Sequence, residues 1–157
     1  MGIKATFGGG IINAKVAAFQ MRVEAATLYM LKYLGESLVA YAREQHNYTD
    51  RTGNLTNSIG YVIVKKGKIT DQGGFIQSGG GAKEGLKVAN ELAKKTTASF
   101  SLIVVAGMNY AAYVEAKGYN VILPAELKAK KDFPEAMRRL RESAKSKASE
   151  IFGSLPE

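Results

Sequence analysis

The residues able to do chemistry in this chain are few and scattered. His46 is the one histidine, and no cysteine occurs in the 157 residues. It therefore has no thiol to activate and no ligand set for zinc. It stands where a long helical pattern gives out, a place where a solvated histidine interacts favourably with the helix dipole. No G-x-S-x-G elbow is present. Gly79-Gly80-Gly81-Ala82-Lys83 precedes a helical pattern and invites a phosphate-loop reading, but it misses the G-x-x-x-x-G-K-[ST] spacing and follows no convincing buried strand. It reads as a flexible loop. Of eight tyrosines only Tyr110, Tyr113 and Tyr119 cluster. They offer base stacking, though their helix and strand spacings fit packing better. Glu115 falls beside Tyr113 and Val114, where a lone charge is costly unless paired; either it pairs with Arg51 and pins the two motifs, or both side chains stand in water. No catalytic, cofactor-binding or metal-binding residue emerges.

Cations are the stronger signal. Net charge is +8, from 22 Lys and Arg against 14 Asp and Glu, an excess that attracts polyanions and makes any such binding salt-dependent. Lys65, Lys66 and Lys68 lie in one short loop. Arg138, Arg139, Arg141 and Lys145 lie on a basic C-terminal helical segment. Either group suits contact with DNA or with an acidic partner.

The elements that position these residues follow from periodicity. Residues 1–10 end in FGGG and read as a loose arm. From Ile11, apolar residues at Ile12, Val16, Phe19, Val23, Ala26, Met30, Leu34, Leu38 and Tyr41 recur at spacings of three and four. This predicts a helix over 11–45, roughly 50 Å long, with Arg22, Lys32, Glu36 and Arg43 outside the stripe. Gly35 either bends it or admits a close neighbour. The helix is longer than one small domain needs, which leaves apolar surface for another subunit. Thr52 or Asp50 can cap a short turn whose Leu55 and Ile59 point one way. Tyr61–Val64 reads as a strand, and Lys65–Lys68 as a hairpin loop returning through Ile69 and Thr70.

Asp71–Ala82 reads as a mobile loop with an extended piece at Phe75–Gln77. Lys83–Lys95 has helical spacing, with Leu86, Ala89 and Ala93 inward and Lys87, Glu91 and Lys95 able to pair outward. Phe100–Ala106 is apolar on both faces and reads as a central strand. A brief helix at Tyr110–Val114 stops at Gly118, and Tyr119–Leu123 alternates as a further strand. Pro124 opens a basic linker, and Pro134 suits the first position of a last helix with Met137, Leu140, Ala144, Ala148 and Ile151 inward. The expectation is one α+β domain of 1–157: an arm (1–10), a core (11–125), then a basic linker and C-terminal helix (126–157). Its long N-terminal helix lies across an antiparallel sheet of three to five strands.

The longest apolar run, Leu102–Met108, is far short of a membrane span. Lys15, Arg22 and Glu24 interrupt any signal-peptide pattern, so a soluble, non-secreted protein is expected. Met1-Gly2-Ile3-Lys4-Ala5-Thr6 formally fits a myristoylation signal at Gly2, a loose pattern that is usually accidental.

Two stretches carry most of the specificity, Thr49–Val64 (TDRTGNLTNSIGYVIV) and Gly107–Leu123 (GMNYAAYVEAKGYNVIL). The first contains an R-T-G-x-L-x-x-S-I pattern in Arg51, Thr52, Gly53, Leu55, Ser58 and Ile59. The second contains Tyr110, Ala111, Tyr113, Glu115 and Gly118, close to a Y-A-x-Y-x-E-x-G pattern but with the glycine three residues beyond the glutamate. In this order, after a long helix and over about residues 11–125, they resemble the head–tail joining (tail-completion, or neck) proteins of long-tailed bacteriophages. The resemblance implies a noncatalytic subunit without cofactor. It implies a ring with its own copies, commonly sixfold, between connector and tail proteins, around the channel through which DNA passes. The location implied is the virion neck, and the host cytoplasm during assembly. A small basic nucleic-acid-binding protein is the alternative reading, and an enzyme of unknown type a distant third.

Overall fold

The computed structural model describes residues 9–75 and 80–153. The loose arm expected before Gly9, the Gly2 signal, Ile76 and Gln77 of the extended piece, and Gly79 lie outside the described residues. The elements in chain order are α1 (Gly9–Glu44), α2 (Asn54–Asn57), β1 (Ile59–Lys65), β2 (Lys68–Gly73), α3 (Gly80–Ala93), β3 (Phe100–Ala106), α4 (Ala111–Ala116) and α5 (Leu123–Phe152). This is an α+β fold: a long N-terminal helix, a three-stranded antiparallel sheet and a C-terminal helix. The chain forms two compact units, Leu31–Pro134 and the residues on either side of it, and α1 and α5 contribute to both.

The Leu31–Pro134 unit is built in layers around β1. The sheet order is β2-β1-β3, both pairs antiparallel. All of β1 except Lys65 is buried. On one face Val62 and Val64 join Val105, Ala89 and Ala93, with Ile69, Phe75, Val88 and Ile103 around them, which seats α3. The other face carries Tyr61 against Gly35 of α1, whose Leu31, Leu34, Leu38, Val39 and Ala42 are buried in the same unit. Period-two alternation along β1 sends odd residues to α1 and even residues to α3. Gly35 thus takes the second of its two expected roles and admits a close neighbour.

Several expectations are corrected by the structure. The mobile loop expected over Asp71–Ala82 is strand β2 as far as Gly73 and helix α3 from Gly80, where Gly81 and Ala82 are buried. Phe100–Ala106 is an edge strand and β1 is central; helices on both sheet faces let an edge strand be apolar on both sides, so its composition does not report its position. Tyr119–Leu123 is not a strand. Val121 is fully buried in a second cluster with Tyr48, Leu55 and Ala111, and Asn120 is tied down by its backbone amide donating to Asn47 Oδ1 and by its side chain donating to the Gln45 carbonyl. The basic linker is helical: α5 begins at Leu123, places Pro124 in its first turn, and runs through Pro134. The helix start expected at Pro134 is supplied instead by Pro124, ten residues earlier, which suits the first turn equally well. Among the described residues Glu91 pairs with neither Lys87 nor Lys95; α3 ends at Ala93, before Lys95.

In the other unit, Phe19 and Phe152 meet edge to face at 5.7 Å. The expected inward residues of α5, Met137, Leu140, Ala144, Ala148 and Ile151, are half-buried. The first turns of α1 leave Ile11, Ile12 and Val16 exposed. No helix among the described residues is long and apolar enough to cross a membrane.

Candidate functional site

The two sequence motifs meet at one joint. Gly53, at φ +74°, turns the chain into α2. Both expected caps are used: Thr52 accepts from Asn54 N–H at 3.3 Å, and Asp50 accepts from Thr56 N–H at 2.8 Å. Leu55 and Ile59 are buried, and so is Ser58, whose Oγ donates to the Leu55 carbonyl at 2.7 Å. The Gly107 amide donates to Ser58 twice over, to Oγ at 3.1 Å and to the carbonyl at 3.3 Å. The start of β1 is thereby fixed to the residue that follows β3. Leu55 and Ala111 then share an apolar cluster with Tyr48 and Val121. The motifs build a structural corner, held by Asp50, Thr52, Ser58 and the Gly107 amide.

Glu115 does not pair with Arg51. Its Oε1 accepts from the amides of Ile122 (3.0 Å) and Leu123 (2.5 Å), capping the N-terminus of α5. That places the carboxylate where two unpaired donors and the positive end of a helix dipole offset its charge, and Arg51 stays exposed. Gly118, at φ +91°, reverses the chain between α4 and this cap. Tyr110 and Tyr113 are exposed, and the Lys117 ammonium lies over the Tyr113 ring. His46 is exposed and donates from Nδ1 to the Arg43 carbonyl.

Sequence reasoning missed Arg43. From α1 it donates to the carbonyls of Thr56 (3.4 Å), Ile59 (2.8 Å) and Gly74, so one guanidinium ties α2, β1 and the end of β2 to the helix. Burial pulls its pKa down, with Glu36 and Tyr48 opposing, but an arginine remains charged throughout the working pH range. Its partners are carbonyls 13 to 31 residues away, which no local pattern announces. Arg43→Met is expected to lower unfolding free energy by about 2 kcal/mol, since charge-assisted bonds are lost and the carbonyls are left without a donor. Arg43→Lys should recover part of this in urea titrations.

Tyr61 was also missed as a polar contact. Its ring is fully buried and its hydroxyl donates to Glu36 Oε1 at 2.8 Å. Burial first, then the bond to the Glu36 carboxylate, push its pKa up. For an acid whose folded pKa is raised, the neutral form favours the fold. The stability is complete below the unfolded value of about 10 and is lost as pH rises above it. Wild type should therefore lose about 1 kcal/mol more than Tyr61→Phe between pH 9 and pH 11. Equal losses in paired denaturation curves would remove Tyr61 from this role.

The basic helix is less cationic than its sequence suggests. Arg138 bridges Glu135 and Glu142 (2.6 and 2.7 Å), and Arg139 also reaches Glu135. The hydrogen bonds from Arg138 hold the Glu135 carboxyl at about 2, well below its ordinary value. Lys128, Lys130 and Lys147 pair with Asp132, Glu126 and Glu150. Of the expected contact residues there, Arg141 and Lys145 have no ion-pair partner among the described residues. Lys66 and Lys68 are exposed at the β1–β2 turn, and Lys65 lies over the half-buried Phe100 ring. Among the described residues, no group of three or more His, Cys, Asp or Glu is arranged to hold a metal ion.

Compared with protein-family models, curated proteins and solved structures, the chain matches none of them.

Proposed function

We propose that this chain is a noncatalytic structural subunit of a phage or prophage virion, closing with its own copies into a ring that joins the head connector to the tail. The observation that carries the reading is apolar surface left over once the fold is complete. In the first turns of α1, Ile11, Ile12, Val16 and Met21 are 57%, 44%, 37% and 72% exposed. Strand β3 adds a second such surface. Its sequence FSLIVVA holds no charge and no proline, and its outer side has no strand partner among the described residues. The opposite edge, β2, carries Lys68 and Asp71 and pairs with a register shift at Ile63/Val64, the devices that keep an edge from pairing further. Exposed apolar residues and a bare edge suit a subunit that meets neighbours. The corner made by the two motifs supports the same reading, because Thr52, Ser58 and Glu115 bond to backbone groups that hold it.

Negatively stained protein should show closed rings. The double substitution Ile12→Glu and Val16→Glu should disperse them while leaving the unfolding transition of the sheet in place. Rings that persist in that variant would remove the start of α1 as a subunit contact.

A further inference from the structure

The fold gathers a second set of lysines that the sequence keeps apart. The β1–β2 turn is only two residues long, Lys66 and Gly67, both with positive φ (50° and 78°), flanked by the paired Lys65 and Lys68. The Lys66 amide donates to the Ser99 carbonyl at 3.1 Å, which fixes this turn to the loop between α3 and β3. That loop begins with Lys94 and Lys95 and continues through Thr96, Thr97, Ala98 and Ser99. One end of the sheet thus presents Lys65, Lys66, Lys68, Lys94 and Lys95 with no carboxylate in either segment. Lys66, Lys68, Lys94 and Lys95 are exposed and have no ion-pair partner among the described residues. The contrast with α5, where most cations are held by acids of the same helix, makes this the stronger source of positive potential.

We infer that this lysine-rich end of the sheet binds the phosphate backbone of duplex DNA without reading its sequence. Lysine ammoniums on mobile stems neutralise phosphates as point charges, and the exposed hydroxyls of Thr97 and Ser99 add donors suited to phosphate oxygens. The patch has no Arg, Asn or Gln for base edges and no exposed aromatic on which an unpaired base would stack. It also lacks the apolar, lysine-poor centre of a protein–protein contact, which favours DNA over an acidic protein surface. The inference rests on the joining reading only for where DNA is met; the contact itself follows from the lysines. Two of them, Lys94 and Lys95, also suit the C-terminal dipole of α3, a structural role that binding measurements would not register.

The test is binding of the full chain to a mixed-sequence 24-base-pair duplex, by fluorescence anisotropy from about 50 to 200 mM KCl. A variant carrying Lys66→Asn, Lys68→Gln, Lys94→Gln and Lys95→Gln should lower the slope of log affinity against log salt by about 3 and weaken binding at least tenfold at about 0.1 M salt. Lys94→Gln with Lys95→Gln alone, which leaves the hairpin untouched, should lower the slope by about 1.5. A control with Lys131→Gln, Arg141→Gln and Lys145→Gln should stay within about threefold of wild type. The inference is overturned by a wild type that does not bind at the lowest salt, by equal losses in the tip and control variants, or by tighter binding to a polyglutamate peptide than to the duplex. A ring that assembles normally and ignores DNA would end this inference and leave the joining reading standing; a monomer that binds through these lysines would do the reverse.

Discussion

Gly107→Ala is expected to cost about 4 kcal/mol of unfolding free energy, or to prevent folding outright. A methyl group at Gly107 would land on the Gly85 Cα, and lie 2.5 Å from the Gly85 nitrogen and 2.8 Å from the Glu84 carbonyl carbon. Every one of these is backbone, so no side-chain rotation relieves the overlap. Gly107 has an ordinary φ and its amide is held by Ser58, so the alanine backbone is allowed; space alone decides the outcome. Relief requires α3 to lift from the end of β3, and that motion would also pull the second motif off the first. Gly80→Ala is the control. It is the first residue of the helix that carries Gly85, with nothing within 4 Å of the added methyl, and its substitution should change stability by less than about 0.5 kcal/mol. If urea titrations gave both variants the same stability, the close crossing of α3 over Gly107 would be wrong.

Gly35→Ala should cost about 3 kcal/mol. Its methyl would meet the Tyr61 ring at 2.5 Å, and that ring is confined on its other side, where a methyl at Gly73 would lie 2.6 Å from it. The Tyr61 hydroxyl is anchored to Glu36, one residue from Gly35, so the ring cannot slide along α1 without losing that bond. The cause can be isolated by a double-mutant cycle. In a Tyr61→Val background the ring is gone, and Gly35→Ala should then cost less than about 1 kcal/mol. An undiminished cost in that background would place the strain elsewhere in α1.

These glycines mark what the sequence could and could not disclose. The helical stripe from Leu31 to Tyr41, the turn capped by Asp50 and Thr52, the β1–β2 hairpin and α3 were all legible, because each depends on residues within a turn or two of one another. Gly35 was legible as a choice between a bend and a close neighbour, but not the neighbour, since Tyr61 arrives from 26 positions away. The edge position of β3 was hidden because apolarity on both faces reports two covering layers and not a count of paired edges. The strand expected at Tyr119–Leu123 failed for a similar reason. Its alternation is real, yet Val121 satisfies it by entering the corner cluster while Glu115 captures the next two amides for α5. Of the candidate site, the motif residues were found and their chemistry was not. Ser58, Arg43 and Glu115 all act on backbone groups, which carry no identity in a sequence. The lysine end of the sheet was half legible, because Lys94 and Lys95 join the hairpin only through the Lys66–Ser99 backbone bond.

That pattern bears on the functional reading. Arg43, Ser58 and Glu115 fix a corner, cap a helix and clamp strands, and on the proposed reading the exposed apolar residues of α1 meet neighbouring copies. The absolute mass of the purified chain in solution, by light scattering behind size exclusion across a concentration series at about 0.15 M salt, tests this most directly. A discrete closed species near six times the 16.9 kDa chain is expected. A monomer at every concentration would contradict it and leave DNA binding by a solitary subunit as the better description.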